Sequence, residues 1–296
     1  MRIHANGIAL EVDDQGPPGG EPILLIMGLG MQLLGWPDEL VADLVGRGYR
    51  VIRFDNRDVG LSQGFDEHGV PSIVRASMRH MLRLRVHSPY PLRAMADDAL
   101  GVLDALGLPA AHAVGASMGG MIAQHVAAGH PQRVKSLTLI MTTSGARHLP
   151  QARAPVRQAL LKRPAPPDLA SVLRHSEHLL RLIGSPAYPP DPKRLCERVE
   201  ASHRRAFRPA GTARQLLAVV ADGDRSPLLR QIVAPTCIVH GKDDPLVPVA
   251  AAHDLAAKIR GARMDLIPGM GHDMPLALLP RLAADIADNA ARTAAA

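Results

Sequence analysis

Hydrophobic residues are spread along this chain in two textures. A continuous apolar run occurs at 22–27, and shorter or interrupted strand-like runs at 49–54, 134–141, 236–240 and 263–267. The first predicts a strand buried on both faces of a parallel sheet, and the others predict further strands. A further run of small residues, Ala113-Val114-Gly115-Ala116, leads straight into Ser117-Met118-Gly119-Gly120 and a helical stretch at 121–128. Between the strands lie segments of helical spacing. One opens with Trp36-Pro37-Asp38-Glu39, a proline and two acids in the first turn, and stops at Gly46-Arg47-Gly48. Others are predicted at 93–106, 248–259 and 276–288. Asn6-Gly7 separates two stretches of strand character and predicts an initial hairpin. Strands alternating with helices imply a mostly parallel sheet covered on both faces. The alternation lapses between 144 and 230, where prolines cluster at 150–192 and helical segments are predicted at 171–183 and 194–208. The expected organisation is therefore a core of 1–143 and 231–296, with 144–230 inserted as a helical cap. Residues 71–91 are basic and irregular, and their pattern predicts no element. The alanine-rich C-terminus is expected to fray.

Composition narrows the class. With 296 residues, 47% of them hydrophobic, the chain is long enough for one large α/β domain with an insertion and too apolar to be disordered. No apolar run reaches the ~18 residues of a membrane span. The opening residues Met1-Arg2-Ile3-His4-Ala5-Asn6-Gly7 contain no apolar leader segment, which predicts a soluble, cytoplasmic protein without a membrane partner. Cys196 and Cys237, the two cysteines, lack ligand spacing and are expected to be free thiols. The net charge of +6 comes from arginines scattered through 75–93 and 147–214. Nucleic acid would demand a focused basic stripe, and at 2% aromatic content stacking platforms are nearly absent, so a solvated arginine-rich surface is expected and no nucleic-acid partner. No HExxH or similar spacing supports a metal, and no cofactor motif is present.

The chemistry centres on Gly115-Ala116-Ser117-Met118-Gly119. A strand that turns at once into a helix crowds its backbone, and glycines on either side of a serine relieve that crowding. Such a turn lifts the Ser117 hydroxyl out of the sheet and directs the N–H of Met118, at a helix N-terminus, toward an oxyanion. The pattern alone fits equally a glycine-rich turn with a capping serine. A hydroxyl needs a base, and the base an orienter. Both are available in loops after late strands: Gly241-Lys242-Asp243-Asp244-Pro245-Leu246-Val247-Pro248 and Pro268-Gly269-Met270-Gly271-His272.

With these motifs the chain resembles the α/β-hydrolase-fold serine hydrolases. Gly115 to Gly119 is similar to their nucleophile elbow, Gly241 to Pro248 to the acid loop G-x-x-D-x-x-x-P, and Gly271-His272 to the histidine loop. Asp55-Asn56-Arg57-Asp58-Val59-Gly60-Leu61-Ser62 resembles D-x-R-G-x-G-x-S, with Asp58 where the family has its first glycine. That variant and the Met27-Gly28-Leu29-Gly30 loop most resemble the branch of carboxylesterases and aclacinomycin methylesterase. The resemblance implies Ser117 as nucleophile, His272 as base, Asp244 as orienter, and an oxyanion hole from the N–H groups of Met118 and Leu29. Met27 replaces the histidine common at that loop, which puts its geometry in question. Asp243 competes with Asp244 for the orienting role. His112, His125, His130 and His240 need only packing or solvation, Asp55 and Arg57 are loop-fixing partners, and Asp97 and Asp98 are expected on a solvated helix face.

A serine at the elbow argues against haloalkane dehalogenases and epoxide hydrolases, which carry aspartate there. Ester hydrolysis is the first expectation, on a small-to-medium hydrophobic substrate suggested by Leu179, Leu182, Ile183 and Leu216 in the insertion. Lactone and carbon–carbon (diketone) hydrolysis use the same residues. A non-catalytic binding member of the fold is the alternative of another class.

Overall fold

The structure, a computed structural model, describes residues 1–161 and 169–293. Three prolines of the proline-rich stretch (164, 166 and 167) and the last three alanines of the tail expected to fray lie outside the described residues. Strands β1 (Arg2–Ala5), β2 (Ile8–Gln15), β3 (Pro22–Ile26), β4 (Arg50–Phe54), β5 (Ala111–Ala116), β6 (Val134–Ile140), β7 (Thr236–Gly241) and β8 (Arg263–Ile267) form one sheet in the order β1-β2-β4-β3-β5-β6-β7-β8. β1 pairs antiparallel with β2, and β2 antiparallel with β4; every later neighbour is parallel. The β1–β2 turn uses Asn6 and Gly7, both at positive φ (50° and 75°), as a twist-matched two-residue hairpin requires.

Helices α1 (Asp38–Gly46), α2 (Ile73–Met81), α3 (Leu92–Ala105), α4 (Met118–Gly129), α5 (Ala154–Leu161), α6 (Leu169–Ile183), α7 (Pro192–Arg205), α8 (Pro209–Asp222), α9 (Ser226–Leu229), α10 (Ala250–Lys258) and α11 (Leu279–Ala291) complete the chain. The apolar strands prove to be two-sided. In β3, Leu24 and Ile26 join a core with residues of α3, α4 and α10, while Ile23 and Leu25 join another with residues of α1 and α11. Val114 and Ala116 of β5 belong to the second core, Ala111 and Ala113 to the first. Successive side chains point to opposite faces, so a strand packed on both sides needs apolar residues throughout.

Between β6 and β7 the described residues contain helices α5 to α9 and no strand. Residues 71–91 hold α2, which the pattern did not disclose. Of its described side chains only Ala76 is buried, against Val86 and Leu217. The helix is amphipathic, but its larger apolar residues Val74, Met78 and Met81 are exposed and not packed on the core. No helix among the described residues is long and apolar enough to cross a membrane. Because β3 to β8 run parallel, the loops after β3, β4, β5, β7 and β8 gather along one rim, where open α/β sheets bind their ligands.

Candidate active site

Ser117 sits alone between the end of β5 and the start of α4, with φ 54° and ψ −119°. Such a backbone is unfavourable for any residue with a Cβ, by about 1–3 kcal/mol, and persists only when its surroundings impose it. Here they do. The Ser117 N–H donates to the Ile140 carbonyl at 2.9 Å, and the Ser117 carbonyl accepts from Thr142 Oγ1 at 2.6 Å and from the Gly120 N–H at 2.9 Å. The turn closes only because two neighbours lack side chains. A Cβ on Gly119 would lie 1.9 Å from the Ile26 carbonyl oxygen, and one on Gly115 would lie 2.3 Å from the Gly119 carbonyl oxygen.

Residues 155 and 28 positions apart meet at this hydroxyl. His272 Nε2 lies 3.0 Å from Ser117 Oγ, and His272 Nδ1 lies 2.7 Å from Asp244 Oδ2. A carboxylate can only accept, so it fixes the imidazole proton on Nδ1 and leaves the Nε2 lone pair facing the hydroxyl. Asp244 is buried, and its second oxygen accepts the N–H groups of Leu246 and Val247, each at 2.8 Å. The histidine backbone is anchored from α6: its N–H donates to the Ile183 carbonyl at 2.7 Å. Next to it, the Gly271 N–H donates to Ser185 Oγ at 2.8 Å, and that hydroxyl donates to Asp273. Burial pushes the Asp273 carboxyl up, with the Ser185 bond partly offsetting it.

Asp243 does not reach the imidazole. It is exposed, accepts the Gly269 N–H at 2.8 Å, and borders a cleft of about 400 Å3 shared with Arg181, Ser185 and Pro245. Neither Ser117 nor His272 lines that cleft. His240, fully buried beneath the acid loop, donates from Nε2 to the Val247 carbonyl at 2.8 Å; burial pushes its pKa down, so it stays neutral.

The loop after β3 closes over the serine. A Cβ on Gly28 would lie 3.2 Å from Ser117 Cβ and 3.8 Å from its Oγ, which puts Gly28 against the nucleophile. Met118 opens α4, where the first N–H groups have no helical acceptor. Among the described residues neither the Leu29 nor the Met118 N–H meets an acceptor. No group of three or more His, Cys, Asp or Glu among them could hold a metal ion.

The 55–58 loop carries more than its motif suggested. Asp55 accepts from the Leu33 and Leu61 N–H groups and from Arg205 of α7 at 2.6 Å. Arg57 forms a two-pronged pair with Asp98 at 2.6 and 2.7 Å and lies over the rings of Phe65 and Tyr90. Asp98, expected on a solvated face, is in fact 1% exposed: Arg57, 41 positions earlier, draws it inward. Asp97 is half-buried. Asp58, at φ 69°, accepts from Arg214 at 2.7 and 2.8 Å, from Tyr90 Oη at 2.7 Å and from the Phe65 N–H at 2.8 Å. Burial alone would raise its pKa, but these donors outweigh it and hold the carboxyl below the usual range. Arg214 and its neighbour Gln215 gave no sign in the sequence. The one available hint was an acid in place of a motif glycine, since a buried carboxylate needs a cation. Of the four apolar residues noted in the insertion, Ile183 is buried and Leu179, Leu182 and Leu216 are half-buried.

A strained serine between a parallel strand and its helix, with a histidine and an aspartate from later strand ends in hydrogen-bond contact, defines a hydrolase-type site on a doubly covered α/β sheet. Residues 21–276 match the family described as the alpha/beta hydrolase fold, and the chain belongs to that family as an esterase-like member. It is 32% identical over 306 residues to rhodomycin D methylesterase DauP of Streptomyces sp. (strain C5), covering 96% of this chain and 95% of that protein. It is likewise 32% identical over 302 residues to rhodomycin D methylesterase DnrP of Streptomyces peucetius, covering 94% of each. Among solved structures, the meta-cleavage product hydrolase of Pseudomonas fluorescens IP01 superposes with a TM-score of 0.74 at 21% identity, covering 98% of this chain and 96% of its own.

Proposed function

We propose that this protein is a serine esterase that cleaves a carboxylic ester of a small-to-medium hydrophobic substrate, methyl esters included, through an acyl-enzyme. The observation that carries the proposal is the hydrogen-bonded chain Asp244–His272–Ser117, at 2.7 and 3.0 Å. In this reading His272 Nε2 takes the hydroxyl proton as Ser117 Oγ attacks the ester carbonyl carbon. The buried Asp244 carboxylate stabilises the imidazolium and keeps its ring in place. Negative charge on the former carbonyl oxygen is met by the Met118 and Leu29 N–H groups, with the N-terminus of α4 behind them. Collapse expels the alcohol, which leaves with the proton from His272. Water, deprotonated by the same imidazole, then attacks the acyl carbon, releases the acid and restores the serine. No step needs a cofactor.

The choice of an ester is supported by the two methylesterases at 32% identity. The segment 144–230 is read as the cap over the strand ends, with 1–143 and 231–296 as the core. In support, α7 and α8 of that segment each send an arginine into the 55–58 loop. The test is turnover of a panel of methyl and p-nitrophenyl esters of graded acyl length, a lactone and a diketone, by wild type and Ser117→Ala. Wild type is expected to prefer the esters, and S117A to fall to background with its circular dichroism unchanged. Turnover near wild type in S117A, or a diketone cleaved in preference to every ester, refutes the proposal.

A further inference from the structure

Three successive peptide groups make up the loop 27–30, and each is pinned once. The Met27 carbonyl accepts from Asn56 Nδ2 at 2.9 Å. The Gly28 carbonyl accepts the Met31 N–H at 3.3 Å. The Gly30 N–H donates to Gln215 Oε1 at 2.9 Å. What remains open, among the described residues, is the N–H of Leu29, which follows Gly28, the residue packed against Ser117.

Two of these three bonds come from the loop itself or its neighbour after β4. The third crosses from α8, 185 positions away. Gln215 is fully buried and uses both ends of its amide: Oε1 on Gly30 and Nε2 on the Arg57 carbonyl at 2.7 Å. Facing one donor and one acceptor, only a side chain with both functions satisfies the pair. A carboxylate lacks the donor and an apolar side chain lacks both. The surroundings hold the amide in register. Arg214, one residue earlier, is locked to Asp58. On the same helix, a Cβ on Gly211 would lie 2.0 Å from the Asp58 carbonyl oxygen, and one on Gly30 would lie 2.7 Å from Thr212 Cγ2. α8 therefore rests directly on both loops, with no space for the amide to be reached from another distance.

We infer that Gln215 is a positioning residue for the oxyanion hole: by holding the Gly30 N–H it orients the preceding peptide, so that the Leu29 N–H faces the oxygen on which charge develops. The inference rests on the esterase reading of Ser117 and deepens it. It links a helix of the inserted segment to the chemistry without contact to the substrate. A group that only orients a donor affects the transition state and not ground-state binding, so its loss lowers kcat and leaves KM in place.

The experiment compares wild type, Gln215→Met, which keeps the length and removes both bonds, and Gln215→Glu, which keeps an acceptor for Gly30. Turnover of p-nitrophenyl butyrate is expressed per site titrated with a fluorophosphonate, so misfolded protein does not count, and the affinity of a trifluoromethyl ketone reports the oxyanion directly. Q215M is expected to lose about ten- to hundredfold in kcat, the scale of a small misplacement of a catalytic group. KM is expected to stay unchanged and the ketone to weaken by the same factor. Q215E, which keeps the Gly30 acceptor, should lose less, and should Q215M not fold, a kcat loss at constant KM in the smaller Gln215→Ala, which also frees the Gly30 N–H, carries the test. A Q215M enzyme that melts at lower temperature yet matches wild-type kcat per site and ketone affinity overturns the inference and leaves the esterase reading standing. A wild type that neither labels nor turns over overturns both.

Discussion

Asp58 occupies a position at φ 69°, in the left-handed region that favours glycine, and a glycine is what the related motif carries. The pair it forms with Arg214 should therefore repay the departure, and a double-mutant cycle measures by how much. Both side chains are buried, at 0% and 1% exposure, and Asp58 accepts four hydrogen bonds. Asp58→Asn keeps the volume and tolerates the same backbone, but removes the charge and turns an amide donor toward guanidinium donors. Removing one partner of a buried pair costs about 3–5 kcal/mol when the other is left unpaired. Here Arg214 keeps Asp66 at 2.8 Å and the Gly69 carbonyl at 2.7 Å, so D58N should fall at the lower end of that range. Arg214→Met should cost about 3 kcal/mol on the same ground, leaving Asp58 to the Tyr90 hydroxyl and the Phe65 N–H. The D58N/R214M double variant should cost less than the sum by about 2–3 kcal/mol, the upper range for residues in direct contact. Urea unfolding followed by far-ultraviolet circular dichroism reads these values. The sign of the pH dependence is fixed too. A carboxyl held low in the folded state contributes stability above its unfolded pKa of about 4. That contribution is lost as pH falls below it, so the gap between wild type and D58N narrows in acid. Single costs that add within about 0.5 kcal/mol would refute the coupling. So would a D58N cost below about 1 kcal/mol, the value of an exposed pair.

Asp244→Asn is expected to lower kcat by about 10,000-fold by presenting a donor to His272 Nδ1 and forcing the wrong tautomer. Asp243→Asn, which loses an exposed bond to the Gly269 N–H, should cost less than about tenfold. The opposite ranking in steady-state kinetics would transfer the orienting role to Asp243. A third prediction concerns α11. Burial, with a hydrogen bond to Asp265, pushes the Asp285 carboxyl up to about 7, and its Oδ2 is buried without a partner. A raised folded pKa favours the protonated state, so this group's contribution is present in acid and is lost as pH rises through about 7. Asp285→Asn should accordingly raise the melting temperature at pH 8 and lose that advantage toward pH 5. A melting difference independent of pH would show that Asp285 stays ionised throughout.

The parts of the site legible in the sequence are those whose geometry is made locally. Glycines beside Ser117 announce a backbone crowded by its own strand and helix, and Asp244 and His272 stand in loops with proline and glycine at fixed offsets. Strand β3 was equally plain, because burial on two faces leaves an uninterrupted apolar run. Helix ends shifted by one to three residues: the last helix, expected from 276, begins at Leu279 after a short tight turn. What escaped depends on partners far apart in the chain. Asp98 reads as an ordinary acid on a helix until Arg57 is known to lie beside it. Arg214 and Gln215 sit in α8, and nothing local tells an arginine for Asp58 from the many that face solvent. Helix α2 was missed although its apolar residues follow helical spacing, because it is nine residues of a short basic stretch and most of its apolar side chains stay exposed.

The claim on which the chemistry depends is that the hydroxyl of Ser117 is activated and accessible. Incubation of the folded protein with a fluorophosphonate, followed by peptide mapping, tests it most directly. One adduct is predicted, on Ser117, formed slowly or not at all once His272 is replaced by alanine. A folded protein that stays unlabelled, or one labelled on another residue at the same rate with and without His272, would contradict the account.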